Sequence, residues 1–404
     1  MRVGVGFSDN PDSFAAGRQA ALEALSGGAG RVPCDLVLMF MTARHDDKAL
    51  RQSVAAVFGA STPIYGGGAV GAITNDRFGY AGDQMALAAI WLDGAKVDIA
   101  AEGELLQGNE REVGARLGRK LAERGIEPGS PLLLLYDAVD LTRGDMRLVM
   151  ATRLLEGLEQ GLGFLPDLFG AGLQGDHQCT PTPQWTGQAT VEHHALALGF
   201  GGDLRVDNVI MHGCRPITGY YTVTGAEEQV VLEINGEPAL TFLDRILGAG
   251  LRPEEYPFFL ILGVNKGDKW GEFDENNYAS RLCLGIDRER GGIVMFEPDM
   301  VAGTEFQIMY RSLDLGYMAP RIEHLFTSVE NAGRRPVFAL YIDCAGRAAG
   351  HAGLDLEDAV VVQNTVGGRV PLLGAYTGVE IASVRGRPRG LDWTGVFSLF
   401  SVPK

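Results

Sequence analysis

Near the C-terminus of this 404-residue chain, Cys344, Arg347, Tyr376, Thr377 and Glu380 stand on two apolar, strand-like segments, PVFALYIDCAGR (336–347) and VPLLGAYTGVEI (370–381). A guanidinium fork and a carboxylate brought together could hold the two ends of a zwitterion such as an amino acid. The plainer alternative pairs Arg347 with Glu380 at a sheet edge. Cys344 has no histidine beside it in the sequence to activate the thiol, so a packed thiol fits better than a nucleophile. The other candidate ligand contact is PIYGGGAVGAI (63–73), where Gly66, Gly67 and Gly68 permit positive φ or close backbone approach to a ligand or another strand. It has neither GxxxxGK[ST] nor a GxGxxG between strand and helix, which excludes a nucleotide loop.

His193 and His194 open an apolar strand and point to opposite faces, so they cannot readily share a metal. No CxxCH occurs, so haem would be held non-covalently by one axial histidine, with His45, His177, His193 and His212 as candidates. The loop GVNKGDKWGEFDENNY (263–278) carries Trp270, Phe273 and Tyr278 among charges. It reads either as a lid with aromatic contacts or as a solvated loop, and its acids miss the calcium-loop spacing.

These residues need positioning elements, and the chain supplies them in recurring order. DLVLMFMT (35–42) is a strand buried on both faces, followed by a helix over 46–59, the glycine segment and QMALAAIWLDGAKVDIA (84–100). The last of these reads as a hairpin turning at Asp93-Gly94. After a helix over about 110–124 the order repeats: PLLLLYDA (131–138), a helix over about 144–161, DLFGAGLQGDH (167–177), and a hairpin at Gly201-Gly202 within 193–209. A partial third copy comprises 336–347, 370–381 and TGVFSLFSV (394–402). Gly66, Gly170 and Gly374 share a register; five residues on stand Gly71, Gly175 and Val379, then Ala72, Asp176 and Glu380. Between the second and third copies lie a Tyr/Thr strand (220–224), a helix over 237–250, a hairpin over 282–298 and a strand over 304–312. The expectation is a mixed α/β (α+β) fold. Duplicated strand–helix–strand–hairpin units form mixed sheets flanked by helices in two intimately packed domains, 1–215 and 216–404.

Composition narrows the classes. Lys+Arg 35 against Asp+Glu 51 gives a net charge of −16, which argues against nucleic acid or an anionic membrane surface. No apolar run reaches the roughly 18–20 residues of a spanning helix, and MRVGVGF lacks the pattern of a secretory signal. Five scattered cysteines without a CxxC pair suggest reduced thiols in the cytoplasm. Glycine, 56 of 404 residues or about 14%, is twice the usual share of about 7% and fits turns and close approaches in the repeats.

Taken together these segments resemble the FIST family in both its N-terminal and C-terminal parts. The carriers are DLVLMFMT with IYGGGAVGAI, GYYTVTGAEEQVVLEINGEPAL (219–240), YASRLCLGIDRERGGIVMFEPDMVAGTEFQIM (278–309), and ALYIDCAGR with VPLLGAYTGVEI. The resemblance implies a cytoplasmic, non-catalytic sensory module that binds a small ligand, with amino acids among the candidates. It would signal through a separate protein such as a histidine kinase or cyclase. It also leaves two alternatives: a haem-based nitric-oxide sensor, and a hydrolase using Cys344. The chain departs from the family pattern at Ala72, where a carboxylate is usual, at Gly67-Gly68-Ala69 in place of hydroxyls, and at Val379 in place of glycine.

Overall fold

The computed structural model describes the chain except residues 29, 31, 181, 249 and 250 and the side chain at 258; the last two positions of the expected 237–250 helix therefore lie outside the described residues. The first unit runs β1 (Arg2–Ser8), α1 (Ser13–Gly27), β2 (Leu36–Met41), α2 (Asp47–Phe58) and β3 (Ile64–Gly68), then the short ribbon β4 (Gly71–Thr74) and β5 (Phe78–Gly79), then β6 (Met85–Trp91). Both helices start on an aspartate that accepts a backbone N–H three residues on, Asp12 from Ala15 and Asp46 from Ala49. The second unit repeats the plan with β7 (Lys96–Glu102), α3 (Glu110–Glu123), β8 (Pro131–Asp137), a small ribbon of β9 (Val139–Asp140) and β10 (Arg147–Leu148), α4 (Ala151–Leu162), β11 (Asp167–Leu173), β12 (Gln184–Gly187), β13 (Thr190–Val191) and β14 (Ala195–Gly201).

After β15 (Arg205–Met211) the chain leaves this plan for a smaller body: β16 (Cys214–Pro216), β17 (Tyr221–Glu227), β18 (Val230–Ile234), β19 (Glu237–Pro238), α5 (Ala239–Leu247), α6 (Tyr256–Phe259), β20 (Ile261–Asn265), β21 (Tyr278–Asp287), β22 (Gly292–Met295) and β23 (Glu305–Arg311). Its strands pair in the order β23–β17–β18–β22–β21–β20, and β20 pairs back to β23, so the ring closes as a barrel. Closure leaves no free edge. The chain then resumes with α7 (Met318–Asn331), β24 (Arg334–Cys344), α8 (Ala349–Ala352), α9 (Asp358–Val366), β25 (Leu372–Thr377), β26 (Val379–Val384), β27 (Arg387–Leu391) and β28 (Gly395–Pro403).

Three six-stranded sheets share one pairing plan: β1-β6-β2-β3-β12-β13, β7-β14-β8-β11-β26-β27 and β15-β28-β24-β25-β4-β5. In each, a central strand pairs parallel to the glycine strand that follows it, as β2 with β3, β8 with β11 and β24 with β25. The ribbon after each glycine strand then crosses into another unit's sheet, so the three sheets interlock. Their inner faces meet in one core that includes Leu38, Phe40, Leu133, Leu135, Leu340 and Ile342. Alternate residues of the same strands face outward and are covered by α1 and α2, by α3 and α4, or by α7 and α9. This accounts for the continuous apolar runs: both faces of every central strand are buried.

The two expected hairpins form differently. Asp93 and Gly94 do adopt positive φ, 48° and 98°, but the strands they join do not pair with each other. β6 lies between β1 and β2, whereas β7 pairs with β14; likewise β14 stays in the second sheet while β15 pairs with β28. A tight turn specifies a reversal of direction, and the partner is chosen by the apolar face each strand must bury. The 144–161 helix also starts late, at Ala151, because residues 147–148 pair with 139–140 instead.

Candidate functional site

The glycine register holds in space at its first position. Gly66, Gly170 and Gly374 pair across the parallel ladders with Met39, Leu134 and Tyr341, and a Cβ on any of them would run into the carbonyl oxygen of that partner. Gly67 and Gly68 lie under Pro183, Gln184 and Thr182, so this run brings a neighbouring strand close. Further along, the expected register does not hold. Ala72 and Glu380 pair with Ala375 and Ala171, one residue past the shared glycines, and Gln184 holds the same place opposite Gly67. Asp176 therefore does not match Glu380; it lies in an extra loop that follows β11, residues 174–180 of the described chain, which the spacing hid.

Glu380 is fully buried, and its Oε2 accepts the Thr394 backbone N–H at 3.3 Å. Gln184 accepts the His194 N–H in the same way, at 3.1 Å. Burial, then Asp343 and Asp392, push the Glu380 carboxyl up, toward its neutral form. Arg347 is equally committed. Its Nε donates to Asp358 at 2.9 Å, its Nη1 to the His212 carbonyl at 2.9 Å and its Nη2 to the Tyr317 hydroxyl at 3.0 Å. Asp343 lies 3.3 Å from the same Nε. Burial opposes the Arg347 charge, but Asp358, Tyr317 and Asp343 outweigh it and hold its pKa above the ordinary value. Arg347 and Glu380 thus form no ion pair with each other.

A cavity of about 600 Å³ does lie where the barrel meets the body, and it takes in Cys344 and Thr377 among the expected residues. Gly66, Gly67, Gly68, Arg347, Tyr376 and Glu380 stand outside its wall. The extra loop of the second unit brings Gln174, His177 and Cys179. The barrel brings Pro257, Leu282, Cys283, Leu284, Phe296 and Arg311, and the turns after β24 and β27 bring Ala345, His351, Asp392 and Trp393. Sequence reading missed most of these because they come from three parts of the chain.

Polar contacts fix the barrel in place around the cavity. The Leu282 N–H donates to Asp392 at 2.9 Å, and the buried Arg281 donates to the Gly390 carbonyl at 3.0 Å and to both oxygens of Asp299 at 2.6 Å. Glu297 accepts the Ala151 and Thr152 N–H groups at the start of α4, at 3.0 and 2.8 Å. Trp393 holds φ 54°, unusual for a bulky residue, although His193 at the matching turn of the second unit holds φ 53°. The wall thiols are poor nucleophiles: burial pushes Cys283 up to about 12, and burial followed by Glu380 pushes Cys344 up.

Of the four histidines considered for haem, only His177 reaches the cavity. Both ring nitrogens of His45 are engaged, by Ser13 and the Asp83 carbonyl; His212 is buried against Glu275, and His193 sits 3.5 Å from Asp137. The loop 263–278 stays away from the cavity; Trp270 is 83% exposed with Lys269 over its ring. No group of three or more His, Cys, Asp or Glu side chains among the described residues is placed to hold a metal ion.

Comparison with known proteins gives a family. The profile of the FIST N domain matches residues 35–237 and that of the FIST C domain matches 239–383. An uncharacterized protein of Mycobacterium bovis is 27% identical over 429 residues, covering 99% of both chains. An uncharacterized protein of Mycobacterium tuberculosis is 26% identical over 417 residues, covering 99% of this chain and all of that one. Among solved structures, a cyanuric acid hydrolase from A. caulinodans aligns over both chains in full, at a TM-score of 0.37 and 10% identity, too low to carry an argument.

Proposed function

The chain belongs to the FIST family, with both of its domains present, and we propose that it is a non-catalytic sensory module whose small ligand occupies the cavity between barrel and body. FIST domains are signal-transduction sensory domains. The observation that carries the proposal is the cavity itself: about 600 Å³, within the range of small-molecule sites, with walls from the second unit, the barrel and the resumed third unit. A ligand touching all three would bias their relative arrangement, which a separate output partner such as a histidine kinase or cyclase could read. We place the protein in the cytoplasm; no helix among the described residues is long and apolar enough to cross a membrane.

The test is a thermal-shift screen with amino acids, organic acids and other small metabolites, since a ligand that binds only the folded state raises Tm. Ala345→Phe, which fills the cavity, should abolish every shift found. A flat screen, or shifts that survive Ala345→Phe, would overturn the proposal.

The haem reading keeps one point of support, His177 on the cavity wall. Haem titration should then give a Soret band that His177→Ala removes; without the band that reading ends.

A further inference from the structure

Among the described residues of the cavity wall, Arg311, at the end of β23, is a cation without a carboxylate partner. Its Nη2 donates to the Ala352 carbonyl at 3.1 Å, and its guanidinium lies over the Trp393 ring at 4.7 Å. Nε and Nη1 have no hydrogen-bond partner among the described residues. Elsewhere the buried arginines are matched: Arg281 by Asp299, and Arg347 by Asp343 and Asp358. A half-buried guanidinium stacked on an aromatic ring and held by one carbonyl is a pre-oriented fork for a planar anion.

The acid on the same wall does not offer the opposite pole. Asp392 accepts the Leu282 N–H on one oxygen, its other oxygen is buried, and the Arg281 charge stands behind it. Burial first, and then His351, lower the His177 pKa and favour its neutral form. Much of the rest of the lining is apolar, including Pro257, Leu282, Leu284 and Phe296.

We propose that the cavity takes a small apolar monocarboxylic acid, its carboxylate on the Arg311 guanidinium edge that the Ala352 carbonyl leaves open and its hydrocarbon body along Leu282, Leu284 and Phe296. This rests on the reading of the cavity as the sensory site, and narrows it from any small metabolite to one charge class. An α-ammonium would enter without a carboxylate to receive it, which costs affinity through desolvation. A phosphate dianion would meet one cation and apolar walls.

The experiment compares matched skeletons by isothermal titration of the full chain: hexanoate and 3-phenylpropanoate, norleucine and phenylalanine, hexylamine and 2-phenylethylamine, and inorganic phosphate. The carboxylates should bind, their amino-acid counterparts at least tenfold more weakly, and the amines and phosphate not measurably. Arg311→Gln should weaken carboxylate binding at least tenfold, and Arg311→Lys, which keeps charge but loses the fork, should fall between. Unchanged Tm and circular dichroism in the ligand-free variants exclude misfolding, and Arg311→Lys carries the test if Arg311→Gln does not fold. Amino acids binding as tightly as the carboxylates, or carboxylate affinity indifferent to both substitutions, would overturn the proposal. So would a site sensitive to Ala345→Phe that takes other metabolites but no carboxylate, and in that case the sensory reading survives. If nothing in the wider screen binds, both fall.

Discussion

His177 and His351 stack face to face, ring centroids 4.9 Å apart and planes 12° from parallel, one from the extra loop of the second unit and the other from α8. The stack closes one side of the cavity with two groups that cannot both be charged cheaply. Burial, then the neighbouring His351, hold the His177 pKa below its ordinary 6.5. The unfolded chain therefore binds the proton more readily, and the contribution of His177 to folding stability falls as pH drops below about 6.5. Relative to wild type, His177→Asn should gain stability as pH falls from 7 to 5 in urea denaturation. Some slope against pH should remain in the variant, because burial lowers the His212 pKa too. An unchanged slope would mean the stack does not titrate.

Arg347 is expected to matter for stability before anything else. Truncating one partner of a buried ion pair leaves the other charge unmatched and typically costs about 3–5 kcal/mol. Arg347→Ala should lose that much in urea. Asp343→Asn should differ from wild type by less than about 1 kcal/mol. Burial and Asp358 push the Asp343 carboxyl up, toward the neutral form that asparagine mimics. Equal losses for the two variants would show that Asp343, and not Asp358 alone, carries the countercharge.

Glu297 joins the domains through the N-terminus of α4, which has no side-chain cap of its own from Met150. Loss of a helix cap costs about 0.5–2 kcal/mol, so Glu297→Ala should destabilise at the upper end of that range. The pH dependence separates capping from charge. Burial, followed by Asp392, raises Glu297 to about 7, although the Thr152 N–H and Arg281 pull the other way. The folded state keeps this proton through a range where the unfolded chain has lost it, so the contribution of Glu297 to stability falls as pH rises from about 4.5 to 7. Glu297→Gln has no such proton, and its stability relative to wild type should rise across that window.

How much of this could be read from residues alone depends on the range over which each signal acts. The central strands and capped helices were legible, since Leu36–Met41 and Pro131–Asp137 are apolar on both faces and Asp46 marks its helix start locally. The shared glycines were legible because each must admit a carbonyl from the strand beside it. Hairpin partners were not, because a turn at Asp93-Gly94 says nothing about which sheet β7 joins. The α4 start was hidden for a related reason: its cap, Glu297, comes from another domain. Arg347 and Glu380 drew attention as an opposite pair on neighbouring segments, yet folding gives each its own buried partners. Arg311 and Trp393, in contrast, sit in segments without any motif and meet only once the barrel docks.

The cavity thiols give a final test that bears on both sensing and catalysis. Cys179 is half-buried, while Cys283 and Cys344 are buried, and all three line the cavity. Burial raises the Cys179 pKa as well, so none is a ready thiolate at neutral pH. Iodoacetamide at pH 7 should modify Cys179 first, slowly, and Cys344 only under conditions that unfold the chain, as peptide mapping would show. A ligand that fills the cavity should slow the Cys179 reaction further without touching the rate in a Cys179-containing peptide. Cys344 labelling faster than a free thiol would instead reveal an activated nucleophile, and the non-catalytic reading would have to be abandoned.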